Sequence, residues 1–457
     1  ASVTQISERA FCSCKKLKRI EFPSDSKLQI IDKDAFCECG IESLSIPASL
    51  IELKEGWCNC VSKLNEIKID SNNQRYKYFD NKFIIGKSIM NLGGGGGEER
   101  GGGGGEKEEE YDLLIFARRD IEKATIPKNI KQICSYSFEG CQQLRTLEIP
   151  EDTKLENIDK FSFCNSSIEK VTIPSTVTKI GEYSFSNCDS IQKVEIQANS
   201  KLQKIGEYAF SASSIESIFI PCQITYILEG TFNRCYKLKQ VTFDTNSKLQ
   251  IICNSAFSLT SIEKVLIPKQ VTEISQKSFS LCTSLTQVEF AENSNLQVIG
   301  LECFSETSIE SITFPDQLKD VDERAFYSCK KLQKVYISKN SMLEKIGYEA
   351  FKESGIKSIY LPRNLKEVDE KAFYSCEMLQ KVEIPNDSEL SAIYLDAFSC
   401  TSIGSIFIPR NITDMLNWFI CCKNLKKIEF SENSKLERIH KYSFCGIPIE
   451  SICLPAS

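Results

Sequence analysis

The sequence predicts an α/β repeat solenoid of about 18 stacked rungs. A seven-residue phrase of the type Ile-x-x-Val-x-Ile-Pro occurs eighteen times, for example at residues 168–174, 215–221 and 379–385. Between residues 121 and 403 the phrase starts every 23 or 24 residues in strict alternation, so that two repeats span 47 residues. A phenylalanine recurs between the phrases at alternating spacings of 25 and 22 residues. A fixed period of this size is typical of an array that buries its core between neighbouring repeats.

The seven-residue phrase predicts a strand. Its apolar positions 4 and 6 alternate with polar positions 3 and 5, which is the pattern of a half-buried strand. Proline at position 7 ends the strand because it cannot donate a backbone hydrogen bond. Strands of successive repeats are expected to pair in parallel about 4.8 Å apart and to form one concave sheet.

The second half of each repeat predicts a short apolar pair followed by one helical turn. The pair is seen at residues 177–180, and a segment of the type Gly-Glu-Tyr-Ser-Phe follows at residues 181–185 and 206–210. We expect the recurring phenylalanines to point from these turns into the core, opposite the sheet. They are Phe138, Phe163, Phe185, Phe210, Phe232, Phe257, Phe279, Phe304, Phe326, Phe351, Phe373 and Phe398.

One insertion interrupts the array, which is otherwise expected to form a single solenoid domain over residues 1–457. The strand phrases at Leu64 and Ile121 start 57 residues apart. Residues 93–110 contain two glycine runs and an acidic run without an apolar side chain, which predicts a disordered loop. The apolar runs at residues 82–86 and 112–116 predict a β-hairpin within an insertion at about residues 74–120. The tract lacks the Lys-Ser/Thr and the following helix of a phosphate-binding loop.

Composition argues against several classes of function. The net charge is −6, and residues 93–110 supply −4 of it through six glutamates against one arginine and one lysine, so bulk charge favours neither nucleic acid nor an anionic membrane. No stretch reaches the ~20 apolar residues of a membrane span. His440 is the one histidine, which excludes most hydrolytic triads and histidine-rich metal sites. We therefore expect no catalytic, cofactor-binding or metal-binding residues.

The cysteines form a column. Nine of the 22 follow an aromatic residue by three positions, mostly in alternate repeats about two rungs or ~9–10 Å apart, too far for a disulfide. We expect these nine to be buried, reduced thiols that pack as small apolar groups. In the first three rungs, the pairs Cys12-x-Cys14, Cys37-x-Cys39 and Cys58-x-Cys60 leave three alternatives: a metal site formed by the six thiols, a disulfide among Cys12, Cys37 and Cys58, or reduced thiols, which we expect. The column comprises Cys14, Cys60, Cys141, Cys188, Cys235, Cys282, Cys329, Cys376 and Cys422.

Strand position 5 provides the candidate binding surface. It is polar in the first half of the array, whereas the second half carries large apolar residues at this outward position. Exposed apolar side chains in a row indicate an interface, and tyrosine is a frequent interface anchor. Ordinary β-propensity is the alternative explanation, since aromatic residues fit a sheet face. The residues concerned are Phe219, Leu266, Tyr336, Tyr360 and Phe407.

The extended pattern Leu-x-x-Val-x-Ile-Pro-x-x-Val-x-x-Ile-Gly-x-x-Ala-Phe-x-x-Cys resembles the BspA-like (Treponema pallidum-type) leucine-rich repeat over nearly the whole chain. This family is known in oral bacteria and in parasitic protists such as Trichomonas. The resemblance implies a leucine-rich-repeat horseshoe. By fold-level analogy, it also implies a non-enzymatic protein at the cell surface or secreted, which adheres to host matrix, a host cell surface or other microbes. The alternative is a self-assembling scaffold protein in the cytoplasm.

The two ends of the sequence suggest self-association. The sequence starts in the second half of a repeat and stops in the first half of one, and neither end shows the polar cap that solenoids normally carry. Exposed end rungs pair readily with other chains, so we expect a homo-oligomer. The apolar residues that we expect at this contact are Phe11, Ile449, Ile452 and Leu454.

Overall fold

The computed structural model describes residues 3–88 and 111–455. The chain forms two compact units, Ala1–Ile218 and Phe219–Ser457. In each unit a rung has a long strand, a short strand and a turn segment. The predicted single domain and the predicted disorder of residues 93–110 stay predictions, since the glycine tract lies outside the described residues.

The first unit contains two sets of parallel strands. A three-stranded and a larger sheet hold the long strands, and the short strands lie in a three-stranded and a seven-stranded sheet. The long strands are Arg19–Ile20, Ser43–Ile46, Glu66–Ile69, Lys123–Thr125, Thr146–Glu148, Lys170–Ile173 and Lys193–Ile196, followed by Ser217–Ile220 where the chain passes between units. The short strands are Gln5–Ile6, Ile30–Ile31, Glu52–Leu53, Gln132–Ile133, Asn157–Ile158, Lys179–Ile180 and Lys204–Ile205, together with the insertion strands Tyr76–Phe79, Phe83–Gly86 and Leu113–Ala117.

The second unit repeats the same arrangement. Its long strands are Gln240–Phe243, Lys264–Ile267, Gln287–Phe290, Ser311–Thr313, Lys334–Tyr336, Ser358–Tyr360, Lys381–Glu383, Ser405–Ile408 and Lys427–Phe430. Its short strands are Tyr226–Ile227, Ile251–Ile252, Glu273–Ile274, Val298–Ile299, Asp320–Val321, Lys345–Ile346, Glu367–Val368, Ala392–Ile393, Asp414–Met415 and Arg438–Ile439. The last two strands of each kind form separate two-stranded sheets.

The parallel pairing predicted from the repeat is confirmed. Lys170–Ile173 pairs in parallel with Lys193–Ile196, residue for equivalent residue. Val171 and Ile173 are fully buried, whereas Lys170 points to solvent and Thr172 is half-buried. The alternation of the phrase therefore decides which side chains enter the core. The last phrase, at residues 449–455, forms no strand in the described chain.

The predicted helical turns are wrong: the described residues contain no helix, and these segments are successive tight turns. Tyr183 and Asn187 have φ values of 51° and 53°, and such left-handed residues break a helix. Cross-rung hydrogen bonds stabilise this backbone. The N–H groups of Tyr183, Phe185 and Asn187 donate to carbonyls of the next rung at 3.0, 2.7 and 2.9 Å. These bonds add a third hydrogen-bonded ladder between the two rungs, which local sequence alone does not indicate.

The recurring phenylalanines are buried and stacked, as the spacing predicts. All twelve are at most 1% exposed. In the first unit, the ring centroid of Phe163 lies 4.7 Å from Phe138 and 5.0 Å from Phe185, with nearly parallel planes. Such ring pairs stabilise beyond the area they bury, by about 0.5–1.5 kcal/mol each.

The insertion contains more ordered structure than its sequence suggested. Phe83–Gly86 pairs antiparallel with Leu113–Ala117, as expected for a hairpin. A further strand, Tyr76–Phe79, pairs antiparallel with Phe83–Gly86 and was not predicted. Leu113–Ala117 then pairs in parallel with Gln132–Ile133, so the insertion rejoins the short-strand ladder.

Two buried charged side chains hold the repeat together across this insertion. The guanidinium of Arg119 donates to the carbonyls of Val61 at 3.1 Å and Ser137 at 2.8 Å. The carboxylate of Glu139 accepts a hydrogen bond from the Cys60 N–H at 2.9 Å. Burial raises the pKa of the Glu139 carboxyl, whereas its hydrogen bond from Cys60 and the charge of Arg119 act in the opposite direction. Neither residue stands out in the repeat pattern.

The cysteine column is confirmed in large part. Seven of the nine predicted thiols are reduced and buried, but Cys14 and Cys60 are exposed. Cys60 lies outside the column because the third rung is shifted by one residue. The Phe163 N–H donates to the carbonyl of Ser184, the residue before Phe185, and the Phe36 N–H donates in the same way to the carbonyl of Trp57. Cys58, and not Trp57, therefore holds the position equivalent to Phe185. Trp57 occupies the position before the phenylalanine column, which alanine holds at residues 209, 256 and 325.

The expected reduced state of Cys12 and Cys37 is wrong. The two form a disulfide between neighbouring rungs, with their Cα atoms 4.7 Å apart, whereas Cys58 is a buried thiol. The bond forms because Cys12 and Cys37 hold the same position on adjacent rungs, while most column cysteines are two rungs apart. A spacing of 25 residues marks cysteines on adjacent rungs, which can form a disulfide, whereas a spacing of 47 residues marks cysteines two rungs apart.

Candidate functional site

The five apolar residues predicted for binding lie on the outward face of the long strands in the second unit. Phe219 is 40% exposed, Leu266 54% and Tyr336 51%, whereas Tyr360 and Phe407 are half-buried. We call these five residues the apolar row. Their position follows from strand alternation, since the neighbours of each within its strand point into the core.

Tyr336 and Tyr360 are the members of the apolar row on neighbouring strands. The register pairs Lys334 with Ser358, which places the two tyrosines at equivalent positions on adjacent strands. Thr313 is the partner of Tyr336 on the other side, and Glu383 is the partner of Tyr360. The pair thus lies between polar neighbours on both sides. Phe407 stands apart, because the long-strand ladder is interrupted between Lys381–Glu383 and Ser405–Ile408.

Leu266 lies three strands before Tyr336, about 14 Å away at the usual strand spacing. Glu289 is its neighbour on the adjacent strand. Leu266 borders two open grooves of ≈ 480 Å³ and ≈ 760 Å³. The larger groove extends over Phe243 and Pro268, so an apolar side chain of a partner has surface to contact beside Leu266.

The lysines on the strands of Leu266 and Tyr336 differ from Lys170 and Lys193 of the first unit. In the first unit, Lys170 and Lys193 both contact the Glu195 carboxylate, at 2.7 and 2.6 Å, and lower its pKa to about 2. Lys264 and Lys334, on the strands of Leu266 and Tyr336, make no ion pair with any residue in the described part of the second unit. The column of strand position 3 in the sequence contains both lysines, but only the structure distinguishes paired from unpaired ammonium groups.

The residues predicted for self-association lie in the first and last described rungs. Phe11 is 39% exposed and stacks on Phe36 with ring centroids 5.5 Å apart. Leu454 is 51% exposed, and Ile449 and Ile452 are half-buried. Each set offers apolar surface to solvent.

The remaining candidate chemistry concerns His, Cys, Asp and Glu side chains among the described residues. No group of three or more His, Cys, Asp or Glu side chains there has the arrangement of a metal site. His440 lies 3.1 Å from an Asp414 carboxylate oxygen that also pairs with Arg438 at 2.6 Å, which is an exposed ion-pair cluster. Over residues 3–88 and 111–455, no helix has the length and apolarity needed to cross a membrane.

Comparison with a solved structure supports the fold. A leucine-rich repeat protein from Bacteroides ovatus is 22% identical, with 93% of this chain and 92% of that chain covered and a TM-score of 0.58. The pneumococcal vaccine antigen PcpA is 22% identical over 74% of this chain and 87% of that chain, with a TM-score of 0.45. A Treponema pallidum leucine-rich repeat protein is 15% identical over 63% and 80% of the two chains, with a TM-score of 0.20. No curated protein matches the sequence.

The family comparison agrees with the repeat analysis. The model of the BspA type leucine rich repeat region matches in six copies, over residues 1–89, 113–239, 156–286, 203–333, 250–380 and 344–457. These matches cover nearly the whole chain and bear out the resemblance seen in the repeat pattern. The chain therefore belongs to the BspA-type leucine-rich-repeat family.

Proposed function

We propose that this protein is a non-enzymatic binding protein whose second unit recognises a protein partner through the apolar row. The observation that carries the proposal is the pair of tyrosines, Tyr336 and Tyr360, at equivalent positions on adjacent strands. Tyrosine combines a large apolar ring with a polar hydroxyl and is enriched among residues that dominate binding energy.

The partner that fits this face carries apolar side chains next to carboxylates. Leu266 and Tyr336 offer apolar contact, and Lys264 and Lys334 beside them carry ammonium groups that make no ion pair in the described part of the second unit. Charge complementarity of this kind increases association rates and selects among partners. A host extracellular-matrix or cell-surface protein, bound at the surface of the cell that makes this chain or after its secretion, is the setting we propose.

The test is binding of the purified chain to immobilised extracellular-matrix proteins, with the double variant Tyr336→Ala/Tyr360→Ala beside it. Loss of two interface anchors is expected to weaken binding by about 2 kcal/mol or more, roughly thirtyfold. Tyr226→Ala is the matched control, since Tyr226 is 42% exposed but lies on a short strand. Equal binding by the double variant and the native chain to every ligand found would disprove the proposal. Antibody labelling of intact, unpermeabilised cells tests the proposed surface location separately.

A second proposed function is self-assembly through the apolar residues of the first and last described rungs. Phe11 and Leu454 are exposed there, which favours contact with another copy. Light scattering at several concentrations measures the oligomeric state, and Ile452→Lys is expected to yield monomer. A strictly monomeric native chain, or an oligomer unaffected by Ile452→Lys, contradicts self-assembly through these residues.

A further inference from the structure

We propose that Cys400 and Cys421 form a disulfide between two neighbouring rungs when the protein reacts with a small-molecule disulfide such as oxidised glutathione. In the structure both are thiols, Cys400 half-buried and Cys421 exposed. The proposal does not depend on the proposed binding function.

The two cysteines hold the same position on adjacent rungs. Cys400 follows Phe398 by two residues and Cys421 follows Phe419 by two, and the two rings stack with centroids 6.2 Å apart. The backbone is left-handed at both cysteines, with φ values of 59° and 60°. The Cys400 N–H donates to the carbonyl of Ile420 at 2.7 Å, which fixes the register of the two turns directly beside the thiols.

Side chains at this position contact each other between neighbouring rungs. The Ser13 hydroxyl donates to the Glu38 carboxylate at 2.9 Å, and the Ser328 hydroxyl donates to the Glu353 carboxylate at the same distance. All four residues have the same left-handed backbone as the two cysteines. The turn geometry in these two places therefore brings neighbouring side chains of this column within hydrogen-bond distance.

The spacing of adjacent rungs suits a disulfide. Cys12 and Cys37 are one position earlier in two other adjacent turns, with a Cα–Cα distance of 4.7 Å. This distance lies within the ~4.4–6.8 Å range that disulfides require. In the described chain one further pair, Cys14 and Cys39, shares a column on adjacent rungs, but there the Cys39 thiol already donates to the Phe11 carbonyl at 2.7 Å.

The proposed bond lies where a backbone ladder is interrupted. The short strand Ala392–Ile393 is the last of its eight-stranded sheet, and the next short strand, Asp414–Met415, belongs to a separate sheet. Cys400 and Cys421 lie in the turns that follow these two strands. A disulfide here joins the two rungs covalently beside the place where short-strand pairing stops.

The reaction is two successive thiol–disulfide exchanges. The exposed Cys421, as thiolate, attacks one sulfur of oxidised glutathione and releases one glutathione thiolate, which takes up a proton from water. Cys400 then loses its proton to water and attacks the Cys421 sulfur, releasing the second glutathione. The two protein thiols lose two electrons, and the glutathione disulfide gains them. Burial, followed by the neighbouring Cys421, raises the pKa of the Cys400 thiol, which is consistent with Cys400 acting second.

The test is a disulfide map of the full chain after treatment with oxidised glutathione at about pH 8, near the ordinary thiol pKa of ~8.5. Remaining thiols are alkylated and the chain is digested with trypsin. The expected product joins peptide 382–410, which contains Cys400, to peptide 411–423, which contains Cys421 and Cys422. The count of titratable thiols is expected to fall by two, and the Cys12–Cys37 link serves as the positive control in the same digest.

Cys422 provides a matched control because it shares the second peptide but is buried, with its thiol donating to the Phe398 carbonyl at 3.2 Å. Cys422→Ala is expected to keep the link, and Cys421→Ser is expected to abolish it. Fragment ions that separate residues 421 and 422 make the same assignment in the native chain, whether or not a variant folds. Absence of the link when Cys12–Cys37 is found, or a link through Cys422, overturns the proposal.

Discussion

Removing one ring from the phenylalanine stack tests how the solenoid is stabilised. Phe163 is fully buried and stacks on Phe138 and Phe185 at 4.7 and 5.0 Å. Phe163→Ala leaves a cavity, and the backbone on either side is held by cross-rung hydrogen bonds of 2.7 and 2.8 Å, which limits collapse. We therefore expect a loss of about 3–5 kcal/mol in the free energy of unfolding. Phe163→Leu keeps most of the volume and is expected to cost about 1–3 kcal/mol through its two lost ring pairs.

Phe11→Ala is the matched control in the same unit. Phe11 is 39% exposed and has a single stacked neighbour, Phe36, so we expect a loss of about 1–2 kcal/mol. Urea unfolding measures each loss, and amide hydrogen exchange around residues 158–190 detects local opening, since repeat arrays do not always unfold in one step. The reasoning is refuted if Phe163→Ala costs less than about 2 kcal/mol or no more than Phe11→Ala.

Three further predictions concern turns and buried polar groups. Gly56→Ala is expected to lower the free energy of unfolding in urea more than Gly140→Ala. Both glycines have φ near +66°, but a Cβ at Gly56 approaches the Tyr136 ring to 3.2 Å, whereas a Cβ at Gly140 meets nothing within 4 Å. Equal losses of stability contradict the steric argument. Burial raises the pKa of the Glu139 carboxyl above its ordinary 4.5, so the stability that the protonated carboxyl contributes is fully present below pH 4.5 and is lost as the pH rises through the raised pKa. Glu139→Gln is therefore expected to become more stable relative to the native chain as the pH rises through this range. Unfolding curves at several pH values measure the difference, and a difference that does not change with pH contradicts the prediction. Thr260→Val removes the hydroxyl that donates to the buried Phe257 carbonyl at 2.9 Å and is expected to lower the free energy of unfolding by about 1–3 kcal/mol. Thr260→Ser keeps a hydroxyl and is expected to retain most of that stability. Thermal unfolding measures both variants.

The sequence by itself determined the solenoid, its parallel strands and its buried columns. This was possible because each rung repeats the same local pattern, and a strand of period 2 assigns every side chain to the core or to solvent. Val171 and Phe163 were placed in the core, and Tyr336 on the outward face, from that pattern alone. The separation of 47 residues likewise identified thiols such as Cys188 and Cys235 as lying two rungs apart.

The tertiary structure decided what depends on register between rungs. The turns are not helices because their N–H groups bond the next rung, and in the third rung Trp57 lies one position before the phenylalanine column. Arg119 bonds Val61, 58 residues earlier, and Glu139 bonds Cys60, 79 residues earlier. The insertion lies between the partners of each bond and interrupts the repeat pattern there. The pairing of Cys12 with Cys37 and the adjacency of Tyr336 and Tyr360 also depend on the stacking of rungs. Local periodicity determines which residues are buried, whereas cross-rung hydrogen bonding determines which of them meet.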